Sequence, residues 1–141
     1  MLFFKIVKKN FMRLFYLFLI SVPYTTLSCT SDYTKDLGDG YFYRNEGGKI
    51  KDILCEKKEG VEVPAEILSY NYNNDLIIAK QKPKLPQDAM YSKNYLYNIN
   101  QTNTYYWILY KKENVLFGPL DSLEYEGLRS KFKIPSNFQL P

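Results

Sequence analysis

The stretch TYYWILYKK, residues 104–112, decides how this chain folds. Side chains alternate between the two faces of an extended strand. Here both faces carry large apolar groups, with Tyr105, Trp107 and Leu109 on one and Tyr106, Ile108 and Tyr110 on the other. A strand that is apolar on both faces is typical of the centre of a sheet. We therefore predict that this segment is a central strand and that Trp107 belongs to the buried core.

The residues that follow predict a hairpin. A polar turn at residues 112–114 returns the chain as an apolar strand at residues 115–118. Phe117 on that strand is expected to reach Trp107 or one of its neighbours, because facing residues of an antiparallel pair lie within contact distance. The two aromatic residues are expected to help form the core of the domain.

A helix is predicted near the end of the chain. Asp121 and Glu124 have the spacing of a capping box, in which each side chain accepts a hydrogen bond from the other residue's backbone N–H. The helix is expected to end at residues 134–135, because proline cannot continue it. Its apolar stripe is expected to pack on the sheet and consists of Leu123, Leu128 and Phe132.

Upstream of the central strand, alternating apolar residues separated by turn residues predict further antiparallel strands. They fall at residues 41–44, 49–56, 65–72 and 76–79, with a short edge piece at residues 61–63. The alternation slips within residues 49–56, which predicts a bulge near Asp52. The predicted fold class is α+β: a small, mainly antiparallel β-sheet of about six strands with one C-terminal helix packed on it. This single globular domain is predicted over residues 37–141.

The N-terminal residues have the pattern of an export signal. Basic residues precede an apolar run of nine residues, 14–22, which is well short of the roughly 20 that a bilayer-spanning helix needs. A small residue, Ser28, then precedes Cys29, and this arrangement resembles a bacterial lipoprotein signal. We expect a signal peptide at residues 1–28, with Met12 as an alternative start. An uncleaved membrane anchor is the alternative.

The resemblance to lipoprotein signals implies that Cys29 is acylated after cleavage and that the membrane is reached through this lipid anchor. Residues 29–36 then form a lipidated tether. The residue after the cysteine is Thr30 rather than aspartate. In Gram-negative lipoproteins this implies the outer membrane of the cell envelope.

The charge distribution argues against a nucleic-acid partner. The chain has 19 basic and 15 acidic residues, a formal charge of +4 and a pI near 8.9. Four of the basic residues precede Cys29, so the mature chain holds 15 of each sign. The basic excess therefore belongs to the leader and gives no electrostatic support for nucleic-acid binding by the domain.

Several catalytic and metal-binding arrangements are excluded because the chain contains no histidine. These are Ser-His-Asp triads, Cys-His pairs and histidine metal sites, and we predict neither a metal nor a cofactor. Cys55 lies beside Ile53 and Leu54 and is interpreted as a small buried residue. It has no disulfide partner if Cys29 is acylated. Paired carboxylates remain open to a glycosidase-like hydrolase, with Asp36, Asp39, Asp75 and Asp88 as candidates.

Two sets of residues are candidates for binding. Residues 85–104 have no clear period, and Tyr91, Tyr95 and Tyr97 within them are a possible stacking surface for a sugar or a peptide. The alternative is that these rings simply cover the sheet. Lys80, Lys82 and Lys84 recur at period two and form possible anion contacts. The alternative is a solvated strand end that resists edge pairing.

The order and spacing of several short motifs resemble a known family. The motifs are Gly40-Tyr41 with Arg44, Val63-Pro64, the hairpin at residues 70–78, Tyr106-Trp107-Ile108, Gly118-Pro119-Leu120, and Arg129 leading to Ile134-Pro135. Together they resemble small bacterial lipoproteins of domain of unknown function family 3997, over nearly all of the mature chain. The resemblance implies export and membrane anchoring, but it supplies no activity and no catalytic residues.

We therefore expect a membrane-anchored envelope lipoprotein that acts as a binding or interaction module, with a protein or glycan as its partner. One alternative is a carboxylate-based hydrolase that acts on envelope or dietary glycans. A second alternative is an envelope immunity or exclusion factor. The expected absence of catalytic triads favours the binding module over the enzyme.

Overall fold

The predicted central strand lies inside a four-stranded antiparallel sheet in the computed structural model, which describes residues 32–141. The strands are β1 (Tyr33–Gly38), β2 (Tyr41–Asn45), β3 (Lys51–Cys55), β4 (Ile67–Tyr72), β5 (Leu76–Gln81), β6 (Tyr105–Tyr110) and β7 (Val115–Leu120). The helix α1 spans Ser122–Lys131. The predicted signal peptide and Cys29 lie outside the described residues.

The strands form two antiparallel sheets, one of order β1-β2-β3 and one of order β4-β5-β6-β7. The α+β class and the C-terminal helix are confirmed, but the prediction of about six strands in one sheet is wrong. The sequence missed β1 because its first four residues are exposed and show no apolar alternation. This strand begins at Tyr33, inside the segment that was predicted to be a tether.

The predicted bulge near Asp52 is also wrong. The β2–β3 ladder runs without a shift, from Tyr41 facing Cys55 to Asn45 facing Lys51. Ile50, which broke the alternation, lies in the turn before β3. The β-bulges in the described residues occur instead in β1, in β4 and on the β6–β7 pair.

The first face of β6 packs into a core between the two sheets. Trp107 is 1% exposed there and lies with Leu109, Ile77, Ala79 and residues of the three-stranded sheet. Phe117 does not reach Trp107, because it faces Ile108 and packs on the other side of the sheet. A side chain on Gly118 would clash with the Trp107 ring. Glycine is therefore the residue that lets β7 pass this ring closely.

The second face of β6 packs against α1 in a separate core. Its buried members are Leu76, Ile78, Ile108, Tyr125 and Ile134, with Leu128, Phe132 and Phe117 partly buried against them. The capping box of Asp121 and Glu124 is present at the start of the helix. Leu123 is not part of the packing stripe, since it is 83% exposed. The inward face instead follows Tyr125 and Arg129, which are four residues apart on one side of a helix.

Candidate functional site

A groove of about 800 Å³ opens where α1 and the residues after it meet the second face of the four-stranded sheet. One short helix covers only part of that face, so the space beside it remains open. The groove lining includes Leu68 and Ser69 from β4, Lys80 from β5, Tyr106 from β6, Tyr125, Glu126 and Arg129 from α1, and Lys133, Ile134, Gln139 and Pro141 from the chain beyond it.

Two tyrosine rings in the groove join the helix to the sheet. The rings of Tyr106 and Tyr125 stack with centroids 4.7 Å apart and an interplanar angle of 19°. The ammonium group of Lys80 lies 5.8 Å from the centroid of the Tyr106 ring, which suits a cation–π contact. Burial raises the pKa of the Tyr125 hydroxyl. The groove therefore combines aromatic surface with a positive charge at its edge.

Arg129 is the most buried charged residue of the groove, at 8% exposed. Its Nη1 donates to the Tyr125 hydroxyl at 3.2 Å, and its Nη2 donates to the Pro135 carbonyl at 3.2 Å. The nearest carboxylate oxygen, Oε2 of Glu126, is 3.8 Å from Nε, which is beyond hydrogen-bond distance. A guanidinium has five N–H groups, and these contacts use two of them among the described residues. Arg129 is thus a buried cation without a closely bound anion.

The other charges of the groove add to this imbalance. Lys80 and Lys133 line it together with Arg129, whereas Glu126 supplies the one carboxylate side chain. Among the described residues, three cationic side chains therefore line the groove against one carboxylate side chain. Because a buried charge is costly unless it is paired, this groove favours a ligand that brings an anionic group.

The three predicted ligand-binding tyrosines face inward rather than forming an open surface. Tyr91 is 9% exposed, and its hydroxyl donates to Oδ2 of Asp52 at 2.6 Å. Tyr95 packs edge-on against Trp107, with ring centroids 4.9 Å apart. The Tyr97 hydroxyl accepts from Nε2 of Gln81 at 3.1 Å. The segment at residues 85–104 therefore uses these rings to cover the first core, and burial raises the pKa of both Tyr95 and Tyr97 to about 12.

A buried ion pair holds that covering segment in place. Arg44 donates from Nε to Oδ1 of Asp52 at 3.0 Å and from Nη2 to Oδ2 at 2.6 Å. Asp52 is fully buried, and its hydrogen bond raises the pKa of Arg44 above the ordinary value. The Tyr91 hydroxyl completes the cluster from the covering segment. In contrast to Arg129, Arg44 has a bidentate carboxylate partner.

The three predicted anion-contact lysines do not form a row. Lys80 lines the groove, but β5 ends at Gln81, one residue before Lys82. Lys82 is exposed, and its backbone exchanges hydrogen bonds with Glu66. Lys84 lines a small cavity on another side of the domain. Only Lys80 therefore remains a candidate for the groove.

The four candidate carboxylates are spread over the domain. Asp36 and Asp39 line a second groove of about 470 Å³ near the β1–β2 turn, but Oδ1 of Asp36 accepts from the backbone N–H of Gly38 at 2.8 Å. Asp75 pairs with Lys112 at 2.6 Å on the exposed surface, and Asp88 lies in the 85–104 segment. Residues 32–141 contain no cluster of three or more histidine, cysteine, aspartate or glutamate side chains suited to a metal.

Sequence reasoning missed the residues that make the groove. Arg129 was noticed only as part of a family motif, and Tyr125 and Lys133 were not singled out. The available signal was the spacing of Tyr125 and Arg129, which places both on one side of α1 beside Leu128. An arginine on the packing side of a helix must be buried or must reach a partner. Cys55, by comparison, is a half-buried free thiol beside the first core.

Comparison with known proteins identifies a family and no individual relative. A family model described as Protein of unknown function (DUF3997) matches residues 38–141, which confirms the predicted family. Neither a curated protein nor a solved structure matches this chain. Within the described residues, no helix combines the length and apolar character needed to cross a bilayer.

Proposed function

This chain belongs to the DUF3997 family of proteins of unknown function, and we propose that it is a lipid-anchored binding module of the bacterial cell envelope. Its site is the groove between α1 and the four-stranded sheet. Its ligand carries an anionic group, such as a phosphate or a carboxylate, that pairs with Arg129. The anchor is the acylated Cys29, and the membrane is the outer membrane.

The observation that carries the binding site is the state of Arg129. Its guanidinium is withdrawn from water and has two neutral acceptors but no carboxylate within hydrogen-bond distance among the described residues. Desolvating a charged group without full pairing costs free energy, and an incoming anion recovers part of it. The stacked rings of Tyr106 and Tyr125 offer an apolar surface next to that charge. An anionic ligand with an apolar body fits both features.

Titration with inorganic phosphate tests the site, because phosphate is a small anion with several acceptor oxygens. The most informative variants are Lys80→Gln and Lys133→Gln. Each removes one positive charge from the groove and leaves the hydrogen bonds of Arg129 to Tyr125 and Pro135 in place. A solvent-exposed ion pair is worth roughly 0.5–1 kcal/mol. Each variant is therefore expected to raise the dissociation constant for phosphate by about two- to fivefold.

The matched control is Lys131→Gln. This variant removes an exposed charge from the end of α1, and Lys131 does not line the groove. It is expected to leave the dissociation constant unchanged at fixed ionic strength. Equal weakening by all three lysine variants would indicate attraction by the overall charge and would contradict a defined site. No saturable phosphate binding by the wild-type protein would contradict the site as well.

The anchor is tested separately. We expect the mature protein to partition into detergent and to carry the added mass of acyl chains, and we expect it to fractionate with the outer membrane. Cys29→Ala is expected to abolish cleavage and acylation. If Cys29→Ala and the wild-type protein are both membrane-bound at full precursor mass, the anchor is a helix and this part of the proposal is wrong.

A further inference from the structure

Four tyrosines form a continuous strip across one end of the domain, where the two sheets meet. The ring centroids of Tyr33 and Tyr43 are 5.9 Å apart, and those of Tyr43 and Tyr70 are 4.6 Å apart in a stacked pair. Tyr72 continues the series at 6.4 Å from Tyr70. Tyr33 is 48% exposed, Tyr70 and Tyr72 are half-buried, and Tyr43 is buried at 6% exposure and joins the strip to the core. We call these four residues the tyrosine strip.

A lysine accompanies the tyrosine strip. The ammonium group of Lys35 lies 5.7 Å from the ring centroid of Tyr70 and 5.1 Å from that of Tyr72. Lys35 is itself exposed and forms no salt bridge among the described residues. The strip therefore presents amphipathic rings and a positive charge together. This is the combination that proteins use at the boundary between water and lipid.

The position of the strip along the chain limits what can cover it. Tyr33 begins β1 and comes four residues after Cys29. Four residues span at most about 14 Å when fully extended. A domain of this size has a radius of gyration of about 13 Å. A tether of this length therefore does not let the domain turn freely and restricts which face can lie next to the lipid anchor. The end of the domain that carries Tyr33 must then lie close to an acyl chain attached at Cys29.

We infer that the tyrosine strip and Lys35 rest on the surface of the bilayer that holds the lipid of Cys29. The inference depends on the lipid anchor of the proposed function. The headgroup layer on each side of a bilayer is roughly 5–8 Å thick, so the tether places Tyr33 within or just above it. The rings of Tyr33, Tyr70 and Tyr72 contact the boundary of the acyl chains, and Lys35 contacts lipid phosphates. The bilayer contact fixes the orientation of the domain.

The test uses the acylated full protein in phosphatidylcholine vesicles with and without bromine on the lipid chains near the headgroup. Bromine quenches tryptophan only at short range. Wild type contains a single tryptophan, Trp107, which lies in the core and is expected to be unaffected. Tyr33→Trp is expected to lose emission in the brominated vesicles.

Val115→Trp is the matched control, since Val115 is also exposed but lies on β7, the edge of the four-stranded sheet opposite β4, which carries Tyr70 and Tyr72. The turn before Val115 also lies away from Tyr33, because Asn114 accepts a hydrogen bond from Tyr41, next to the β1–β2 turn. Val115→Trp is expected to keep its full emission. A far-UV circular dichroism spectrum identical to that of wild type verifies that each variant is folded.

The outcomes separate this inference from the anchor on which it depends. If the protein floats with the vesicles but Tyr33→Trp is not quenched, the anchor stands and the docking surface is wrong. If the wild-type protein does not float with the vesicles, the anchor itself fails and the inference fails with it. Tyr33→Trp emission that is not quenched and shifts to the blue as the protein-to-lipid ratio rises would assign the strip to contact between two copies and would also overturn the inference.

Discussion

The domain contains two arginines, and their surroundings differ. Arg44 lies on the side closed by residues 85–104 and is held by both oxygens of the buried Asp52. Arg129 lies on the side covered by one helix, in an open groove, with neutral acceptors and no carboxylate within hydrogen-bond distance among the described residues. An arginine thus has a structural role where the chain itself supplies a bound carboxylate, as at Arg44. Where the chain supplies none within hydrogen-bond distance, as at Arg129, the guanidinium remains available to a ligand.

The closed side is expected to carry most of the stability, and the largest effect is expected at Trp107. Its ring is buried among the two sheets, and its Nε1 donates to Oε1 of Gln81 at 2.7 Å. Trp107→Ala should lower the free energy of unfolding by about 3–5 kcal/mol, the usual cost of deleting a core aromatic. Denaturant unfolding followed by circular dichroism measures it.

Leu123→Ala is the control for that experiment because Leu123 is a large apolar residue on the exposed side of α1. Its effect is expected to lie within about 0.5 kcal/mol of zero. Comparable losses for the two variants would mean that the helix side carries as much stability as the closed side. The comparison between the two sides would then be wrong.

The next largest loss of stability is expected when Asp52, the buried carboxylate partner of Arg44, is replaced. Asp52→Asn removes the buried carboxylate and leaves the partly buried Arg44 with the exposed Glu46, 3.0 Å from its Nη1, so it should cost about 3 kcal/mol, at the lower end of the loss expected for a broken buried ion pair. Glu126→Gln is the matched change beside Arg129. Its carboxylate is exposed and 3.8 Å from Nε, so the expected cost is below about 0.5 kcal/mol. A large loss for Glu126→Gln would show that Arg129 is already paired within the chain.

A smaller effect is expected from Gln81, which links β5 to the covering segment. Its Nε2 donates to the Pro64 carbonyl at 2.8 Å and to the Tyr97 hydroxyl at 3.1 Å. Gln81→Leu leaves the Trp107 N–H without its acceptor and should cost about 1–3 kcal/mol. Chemical denaturation gives the value. An unchanged free energy of unfolding would show that this network adds nothing to the closed side.

The last effect is expected only at alkaline pH. Burial raises the pKa of Tyr95 and Tyr97 to about 12 from the ordinary value of 10.0. Above pH 10 the unfolded chain loses these protons first, so the free energy of unfolding should fall between about pH 10 and 12 and be unaffected by them below that range. Absorbance of tyrosinate should show a late step that Tyr97→Phe reduces. A single step near pH 10 would contradict burial of the covering rings.

The sequence made the central strand and the start of the helix predictable, but not the strand β1. The central strand was evident because Tyr105 to Tyr110 are apolar on both faces, and the helix start was evident from the spacing of Asp121 and Glu124. The strand β1 was not, since its side chains are mostly exposed and polar. A sequence pattern marks strands through burial, and an exposed edge strand lacks that mark.

The groove was not predictable for a different reason. It arises from three strands, the helix α1 and the chain beyond it, which meet only in the folded chain and supply residues such as Lys80, Tyr106 and Lys133. The tyrosines of residues 85–104 were a reasonable surface candidate, because tyrosine suits both exposed and buried positions. The hydroxyls of Tyr91 and Tyr97 find partners inside, Asp52 and Gln81, whereas Tyr95 is held by the packing of its ring on Trp107.

The side-chain Nε–H resonances of the two arginines test the central claim most directly. Residues 32–141 contain only Arg44 and Arg129, so each signal is assigned by a single arginine-to-lysine variant of the isotope-labelled protein. On titration with inorganic phosphate at constant ionic strength, we predict a saturable shift of the Arg129 signal, while the Arg44 signal stays in place on Asp52. An Arg129 signal that does not move, or two signals that drift together without saturation, would contradict an anion site in the groove.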